Sequence, residues 1–386
     1  MRVLVAPDSF KESMDAMTAA NAIIDGIKKV APQASCKALP VADGGEGLVE
    51  VLAGPMGAKT EHVLVSGPLG KKVLARFGWV EKTRTGIVEV AEACGMHLVD
   101  ANSRDIWRSS TEGVGEILLH LRSRGAKTIV IGLGGSVTND GGSGMIRALG
   151  ASLRDNAGEE VLPGPVGLKE ISSLDISGVG DWSDIDIVLA SDVSNPLLGV
   201  NGASAVFGPQ KGASKTDVLE LDATLAKWLA VGIRAHTKSV DIGVLPGGGA
   251  AGGLGAALVA FLDARISPGI NLVLDLIGFH DEVMKADLVV TGEGKLDNQT
   301  SSGKAPWGVC QAANAHGVPT IAFCGVAGDG AGNLIGLAGF REIVEISDPE
   351  IPHAKKLRDG PRNISMAAEK TIGSLIRDLD VREIRC

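Results

Sequence analysis

The chain opens on an apolar run, RVLVA at residues 2–6, of the length of a buried strand. After a polar loop at 7–13, a stretch from about 15 to 30 repeats Met17, Ala20, Ile24, Ile27 and Val30 every three or four residues. That spacing puts them on one face of a helix. A short strand near 36–41 then leads into the loop ADGGEG at 42–47. This is βα material, and its loops gather at one end of a sheet.

Between 61 and 90 the pattern changes. EHVLVSG, KKVLARFGWV and TGIVEVAEA are three β-rich runs joined by Gly-Pro or Thr-Gly turns, which predicts a meander. A helix at about 111–124, closed by Gly125, precedes strand KTIVIG (127–132) and the loop GLGGSVTNDGGSG. Strand DIVLA (186–190) feeds SDVSNP, and helices follow near 217–235 and 246–262. From 287 the βα alternation returns: DLVVTGEG, a helix near 305–316, PTIAFCG, EIVEIS and a closing helix at about 363–378. The expected fold class is α/β with two domains. Residues 1–65 and 285–386 form a discontinuous, doubly wound (Rossmann- or flavodoxin-like) domain, and 66–284 an inserted α/β domain with a mixed sheet.

Composition sharpens this picture at three points. Glycine reaches 53 of 386 residues, about twice the ~7% average, with no collagen-like period, so the glycines belong to tight loops. Aromatics are only 3%, with no tyrosine, so the core must be Val, Ile, Leu and Ala. The net charge of −9 comes without a basic block, which excludes a nucleic-acid protein built on phosphate neutralisation and base stacking. It leaves room for a small phosphorylated substrate. The five cysteines lack C-x-x-C spacing and the seven histidines stand isolated, so no zinc site is expected. The apolar stretch at 247–262 is too short and too rich in glycine to span a bilayer, and the immediate opening strand argues against a signal peptide. A cytoplasmic enzyme without a membrane partner is the expectation.

Several strand-end loops combine glycine with groups that bind cations or anions. APDSFKES (6–13) carries Asp8, Ser9 and Lys11; ADGGEG carries Asp43 and Glu46; GLGGSVTNDGG (132–142) carries Ser136, Thr138, Asn139 and Asp140. TGEGKLDNQTSSGK (291–304) carries Glu293, Lys295, Asp297, Gln299, Thr300 and Lys304. SDVSNP (191–196), VFGPQKGA (206–213) and PGGGAAGG (246–253) add Asp192, Asn195, Lys211, Gly247, Gly248 and Gly249. Phosphoryl transfer asks a protein mainly for positioning and charge stabilisation. Glycine loops bring backbone N–H groups onto phosphates, lysines add point charges, and carboxylates hold Mg²⁺ or take a hydroxyl proton.

Each loop also has a plainer reading. Asp8 and Asp43 suit helix N-caps, and Asn139 with Asp140-Gly141 suits a tight turn. The G-x-G-x-x-G at Gly247, Gly249 and Gly252 fits close packing, phosphate contact or a dinucleotide fingerprint, with Asp275 as the ribose ligand. Gly303-Lys304 is not a Walker motif, because Asn298 and Ala305 stand where glycine and Ser/Thr are required. An NAD-dependent oxidoreductase and a non-catalytic sensor of a small molecule or nucleotide are the competing functions.

Taken in order, APDSFK, PVADGGEG, GLGGSVTNDGG, SDVSNP with VFGPQKGA, PGGGAAGGLG and TGEGKLDNQTSSGK resemble the bacterial type 1 glycerate kinase family. The likeness runs from residue 2 to about 375, with Glu12 where glycine often follows the lysine and Val137 where alanine is common. The resemblance implies ATP- and Mg²⁺-dependent phosphorylation of D-glycerate, with 2-phosphoglycerate expected, and an active site in a cleft between two α/β domains. On that reading Asp192 is the expected general base, with Asp8 second, and Lys11 joins them as catalytic. Asp43, Glu293 and Asp297 are the expected Mg²⁺ ligands. Ser9, Ser136, Thr138, Asn139, Asn195, Lys211, Gly247, Gly248, Gly249, Gln299, Thr300 and Lys304 are expected to bind substrate or phosphate.

Overall fold

A computed structural model describes residues 1–45, 47–233, 241–348 and 350–383. The strands in chain order are β1 (Arg2–Val5), β2 (Ser35–Ala38), β3 (Lys59–Ser66), β4 (Lys72–Val80), β5 (Thr85–Glu89), β6 (Thr128–Gly132), β7 (Ser152–Arg154), β8 (Ser173–Asp175), β9 (Asp186–Ala190), β10 (Arg265–Ser267), β11 (Leu288–Leu296), β12 (Thr320–Ala327) and β13 (Glu342–Glu345). The chain divides into two units, one of residues 1–43 with 270 onward and the other of residues 44–269.

The first unit is built on a five-stranded sheet in the order β13-β12-β11-β1-β2, parallel at every pairing. Helices Ala16–Val30 and Gly360–Glu383 belong to one apolar cluster with β1, and helix Ala305–Ala315 to another with the far end of β11 and β12. Asp15 starts the first helix by accepting the Thr18 N–H at 2.6 Å, the N-cap geometry that satisfies an otherwise orphaned donor. Its buried residues are Ala16, Ala19, Ala20, Ala22, Ile23, Gly26 and Ile27. This face is rotated from the one the sequence predicts, and Met17 is 43% exposed. The reason is close helix crossing: a Cβ on Gly26 would lie 2.1 Å from the Ser365 carbonyl, so small residues face the partner helix. From β1 the chain steps to β2 on one side, and β11 to β13 stack on the other. The crevice outside the carboxyl ends of β1 and β11 is thus a topological switch point, where open α/β sheets bind ligands.

The second unit carries a six-stranded mixed sheet, β10-β9-β6-β5-β4-β3. The meander read from the sequence is present: β3, β4 and β5 pair antiparallel, for example Leu64 with Leu74 and Phe77 with Val88. From β5 to β10 the pairings are parallel. An antiparallel pair of β7 and β8, set apart from the main sheet, and helix Leu48–Met56 also belong to this unit.

The unit boundaries fall at 43/44 and 269/270 rather than at 65/66 and 284/285. β3 pairs with β4 along its whole length, from Lys59 to Ser66, which draws residues 59–65 into the second unit. At the other boundary, Glu282 pairs with Lys37 at 3.0 Å and the His280 ring lies 5.8 Å from that of His316, so 270–284 stay with the first. The helix expected near 217–235 runs Lys215–Trp228 and continues as a π-turn, Leu229–Ile233; residues 234–240 lie outside the described residues. No helix among the described residues is long and apolar enough to cross a membrane.

Candidate active site

In the first unit, the switch-point crevice is a cavity of about 410 Å³ whose lining includes Asp8, Ser9, Lys11, Asp43, Glu293, Lys295 and Lys304. The β1–helix loop enters it with the Asp8 N–H donating to the Gly292 carbonyl at 2.8 Å and the Ser9 N–H to the Asp8 carboxylate at 2.6 Å. Glu12, at the position where glycine is frequent in the resembling family, is held at a φ of 65°. A left-handed backbone costs a side-chain-bearing residue about 1–2 kcal/mol, which is a physical reason for glycine there.

Glu293 lies in β11, and Lys304 stands immediately before helix Ala305–Ala315, its Nζ 3.4 Å from Glu293 and 3.6 Å from Asp297. Burial and the neighbouring Asp43 and Glu293 push the Asp8 carboxyl well above its ordinary range, against the Ser9 amide and Lys11. Burial pushes Glu293 up to about 7, against the pull of Lys304 and with added repulsion from Asp43 and Asp297. Asp297 behaves differently. It pairs with Lys295 at 2.9 Å and accepts the Gln299 N–H at 3.0 Å, and these contacts hold its carboxyl below the usual value, the Lys295 hydrogen bond foremost. Thr300 is buried, its hydroxyl accepting the Asp297 N–H at 3.0 Å and lying 3.5 Å from Glu293; it braces the loop. Gln299 is exposed, and Glu46 lies outside the described residues.

The second unit gathers its candidates around the loop after β6. Asp140 is fully buried and accepts the Thr111 N–H and hydroxyl at 2.9 Å each, with the N–H groups of Gly142 and Gly144 at 3.2 and 3.1 Å. It ties the start of helix Ser143–Ala148 to the start of helix Glu112–Ser123, and burial raises its carboxyl despite those donors. Lys211, on the turn Pro209–Lys211, is 2% exposed and donates to Ser136 Oγ at 3.1 Å and to the Thr138 carbonyl at 2.7 Å. Desolvation lowers its ammonium to about 8, offset in part by Cys94 and Asp140. This lysine points inward and clamps the 136–138 segment. Asn139 donates to Ser204 Oγ at 3.0 Å, and its buried Oδ1 has no hydrogen-bond partner.

Asp192 follows β9, and its Oδ1 accepts the Gly269 N–H at 2.7 Å. Asn195 is used in a turn, its amide donating to the Asn201 carbonyl at 2.8 Å. The amides of Gly248 and Gly249 donate to the carbonyls of Leu245 and Asn195 at 2.9 Å each, so both are spent inside the protein. Gly247 precedes them at a φ of 82°. The segment before them is a 3-10 turn, Ile242–Val244, not a strand, and Asp275 pairs with His280 at 3.5 Å in the other unit. The dinucleotide fingerprint lacks its structural context. Close packing explains the run instead: at Gly252, with a φ of 68°, a Cβ would meet the Thr138 carbonyl at 2.1 Å. Gly252→Val is therefore expected to cost on the order of 3 kcal/mol or more; an unchanged thermal unfolding curve would contradict this.

Sequence reasoning missed Glu89. It is 3% exposed at the end of β5 and accepts the N–H groups of Gly47 and Val49 at 3.0 and 2.8 Å, holding the start of helix Leu48–Met56. The signal was an acid closing a buried TGIVE strand, which periodicity does not flag. Also missed was the wall of the first cavity formed by Ile346, His353, Lys356 and Leu357, drawn from segments with no motif.

Carboxylates crowded beside lysines at a switch point, with glycine-lined strand ends, equip an α/β enzyme for phosphoryl transfer. The chain belongs to the glycerate kinase family, whose model matches residues 3–376. It is 44% identical to a glycerate kinase of Halalkalibacterium halodurans over 85% of this chain and 86% of that one. It is 43% identical to a glycerate 2-kinase of Escherichia coli over 86% and 87%. A crystal structure from Salmonella typhimurium, provisionally assigned as glycerate kinase 2, is 40% identical, covers 98% of this chain and 99% of its own, and superposes with a TM-score of 0.85. The family is one of kinases acting on an alcohol group, and kinase chemistry implies ATP as the phosphoryl donor.

Proposed function

We propose that this protein transfers the γ-phosphoryl group of ATP to the 2-hydroxyl of D-glycerate, giving 2-phosphoglycerate and ADP. The observation that carries the reading is the switch-point cavity, which brings Asp8, Asp43 and Glu293 together with Lys11 and Lys304 in a chain of this family. The name of the Escherichia coli relative, glycerate 2-kinase, supports the 2-hydroxyl as acceptor.

In this reading Lys11 and Lys304 neutralise phosphate oxygens, with Ser9 and Gln299 at the same loops. Asp43 and Glu293 hold Mg²⁺, while Asp297 keeps Lys304 in place and is the weakest of the three ligand candidates. The donor set suits the ion: it is all oxygen, and the carboxyls of Asp8 and Glu293, raised by burial first and by neighbouring acids second, gain from a dication. When bound, Mg²⁺ neutralises charge on the transferring phosphates.

Asp192 takes the proton of the substrate 2-hydroxyl as its oxygen bonds to the γ-phosphorus and the bond to the ADP oxygen breaks. The Gly269 amide keeps the carboxylate oriented. In the second unit, Asn139 Oδ1 is the acceptor left for a substrate hydroxyl, and Ser136 and Thr138 are fixed beside it by Lys211. We read the enzyme as cytoplasmic; the free thiols of Cys36, Cys94, Cys310 and Cys324 suit a reducing compartment.

An ADP-release assay with D-glycerate, glycerol and hydroxypyruvate tests the reading. Glycerol lacks the carboxylate and hydroxypyruvate lacks the 2-hydroxyl, so ADP is expected with glycerate and only background with the other two. Equal turnover of glycerol, or tight NADH binding without ATP dependence, would contradict it.

A further inference from the structure

The switch-point cavity is larger and more apolar than phosphates and a three-carbon hydroxy acid require. Its volume, about 410 Å³, falls in the range of about 300–1,000 Å³ that encloses a ligand of several rings. Its lining also includes the apolar side chains of Val326 of β12, Ile346 just beyond β13, Leu357 of helix His353–Arg358 and buried Phe10, with Ser347, His353 and Lys356 beside them. D-Glycerate has almost no apolar surface to set against Val326, Ile346 and Leu357. A purine ring has two apolar faces and is stabilised by that contact. Charge points the same way. Lys11, Lys295, Lys304 and Lys356 line this cavity beside the acids Asp8, Glu12, Asp43 and Glu293, a mixture that suits a polyphosphate carried with a divalent cation.

We propose that this cavity seats the base and ribose of the nucleoside triphosphate against Val326, Ile346 and Leu357, with the triphosphate extending to Lys11 and Lys304. The inference rests on the kinase reading and goes beyond it by assigning the donor, not the acceptor, to this cavity. Open α/β sheets bind nucleotides at such switch points. Val326, Ile346 and Leu357 become specificity-bearing contacts that none of the glycine-rich motifs contains.

Val326→Trp and, separately, Leu357→Trp place an indole in the wall. Val326 is 43% exposed, so its replacement leaves the core intact even if the Leu357 variant fails to fold; circular dichroism melting checks both. ADP affinity is measured calorimetrically without glycerate, and KM for ATP and for glycerate in the coupled assay. The wild type is expected to bind ADP, and each folded variant to weaken ADP binding and raise the KM for ATP by about tenfold or more, with the KM for glycerate within about twofold. A wild type that phosphorylates glycerate, with folded variants whose ADP affinity is unchanged or whose KM rises for glycerate instead, overturns the cavity assignment alone. A wild type that binds no nucleotide overturns the kinase reading with it.

Discussion

Asp192→Asn is expected to lower kcat by roughly 100- to 10,000-fold, the usual contribution of a positioned general base, while the protein remains folded. The substitution is nearly isosteric, and the asparagine carbonyl oxygen can still accept the Gly269 N–H that the carboxylate accepts at 2.7 Å. What it removes is the capacity to take a proton. The KM values for ATP and glycerate should change far less than kcat, because the loss falls on the transition state. Steady-state kinetics beside a thermal melt separate the outcomes. Near-normal turnover rejects Asp192 as the base and moves the role to Asp8, whose raised carboxyl also suits proton transfer.

The second large effect is expected at Glu293. Its carboxyl is pushed up to about 7, so it is neutral below that pH and charged above it. In the free enzyme kcat/KM should fall as the pH drops through about 7, since the protonated group neither attracts a dication nor balances Lys304. Glu293→Gln should remove that limb and lower kcat/KM by roughly 100- to 1,000-fold, as expected for losing a charged clamp on the transferring phosphates. A limb at the same pH in the variant would assign the titration to another group. Stability carries the opposite sign. The folded state binds the extra proton between the ordinary 4.5 and about 7, so stability is present at the lower pH and is lost as the pH rises through 7, by about 3 kcal/mol at most. Added Mg²⁺ should therefore raise the melting temperature more at pH 8 than at pH 5.5.

Alternation of strands and helices was legible in the sequence because each parallel strand is a short apolar run bounded by a glycine loop, as at RVLVA, KTIVIG and DIVLA. The meander was legible from its turns. The buried face of helix Ala16–Val30 was not, because Gly26 lies against helix Gly360–Glu383 and four alanines are buried on the helix with it, and hydrophobicity ranks Met17 and Ile24 above them. The unit boundaries were misplaced for a related reason: β3 belongs where its pairing partner β4 lies, and pairing is not a local property. Among the candidate residues, the motifs located Asp8, Asp43, Glu293 and Lys304, which the fold brings into one cavity. They could not separate ligand from scaffold. Lys211 and Thr300 look like ligands in a string of letters, but one is buried against Ser136 and Thr138 and the other braces Asp297. Glu89 looks like an ordinary strand residue, yet it holds the loop after Asp43 by two backbone amides.

The most direct test of the central claim is the identity of the product made from ATP, Mg²⁺ and D-glycerate, read by proton-coupled ³¹P NMR. Transfer to the 2-hydroxyl predicts one new phosphomonoester split by a single methine proton, accumulating in step with ADP. A resonance split by two methylene protons would show transfer to the other hydroxyl, and ADP with only inorganic phosphate would show no acceptor at all; either result contradicts the account.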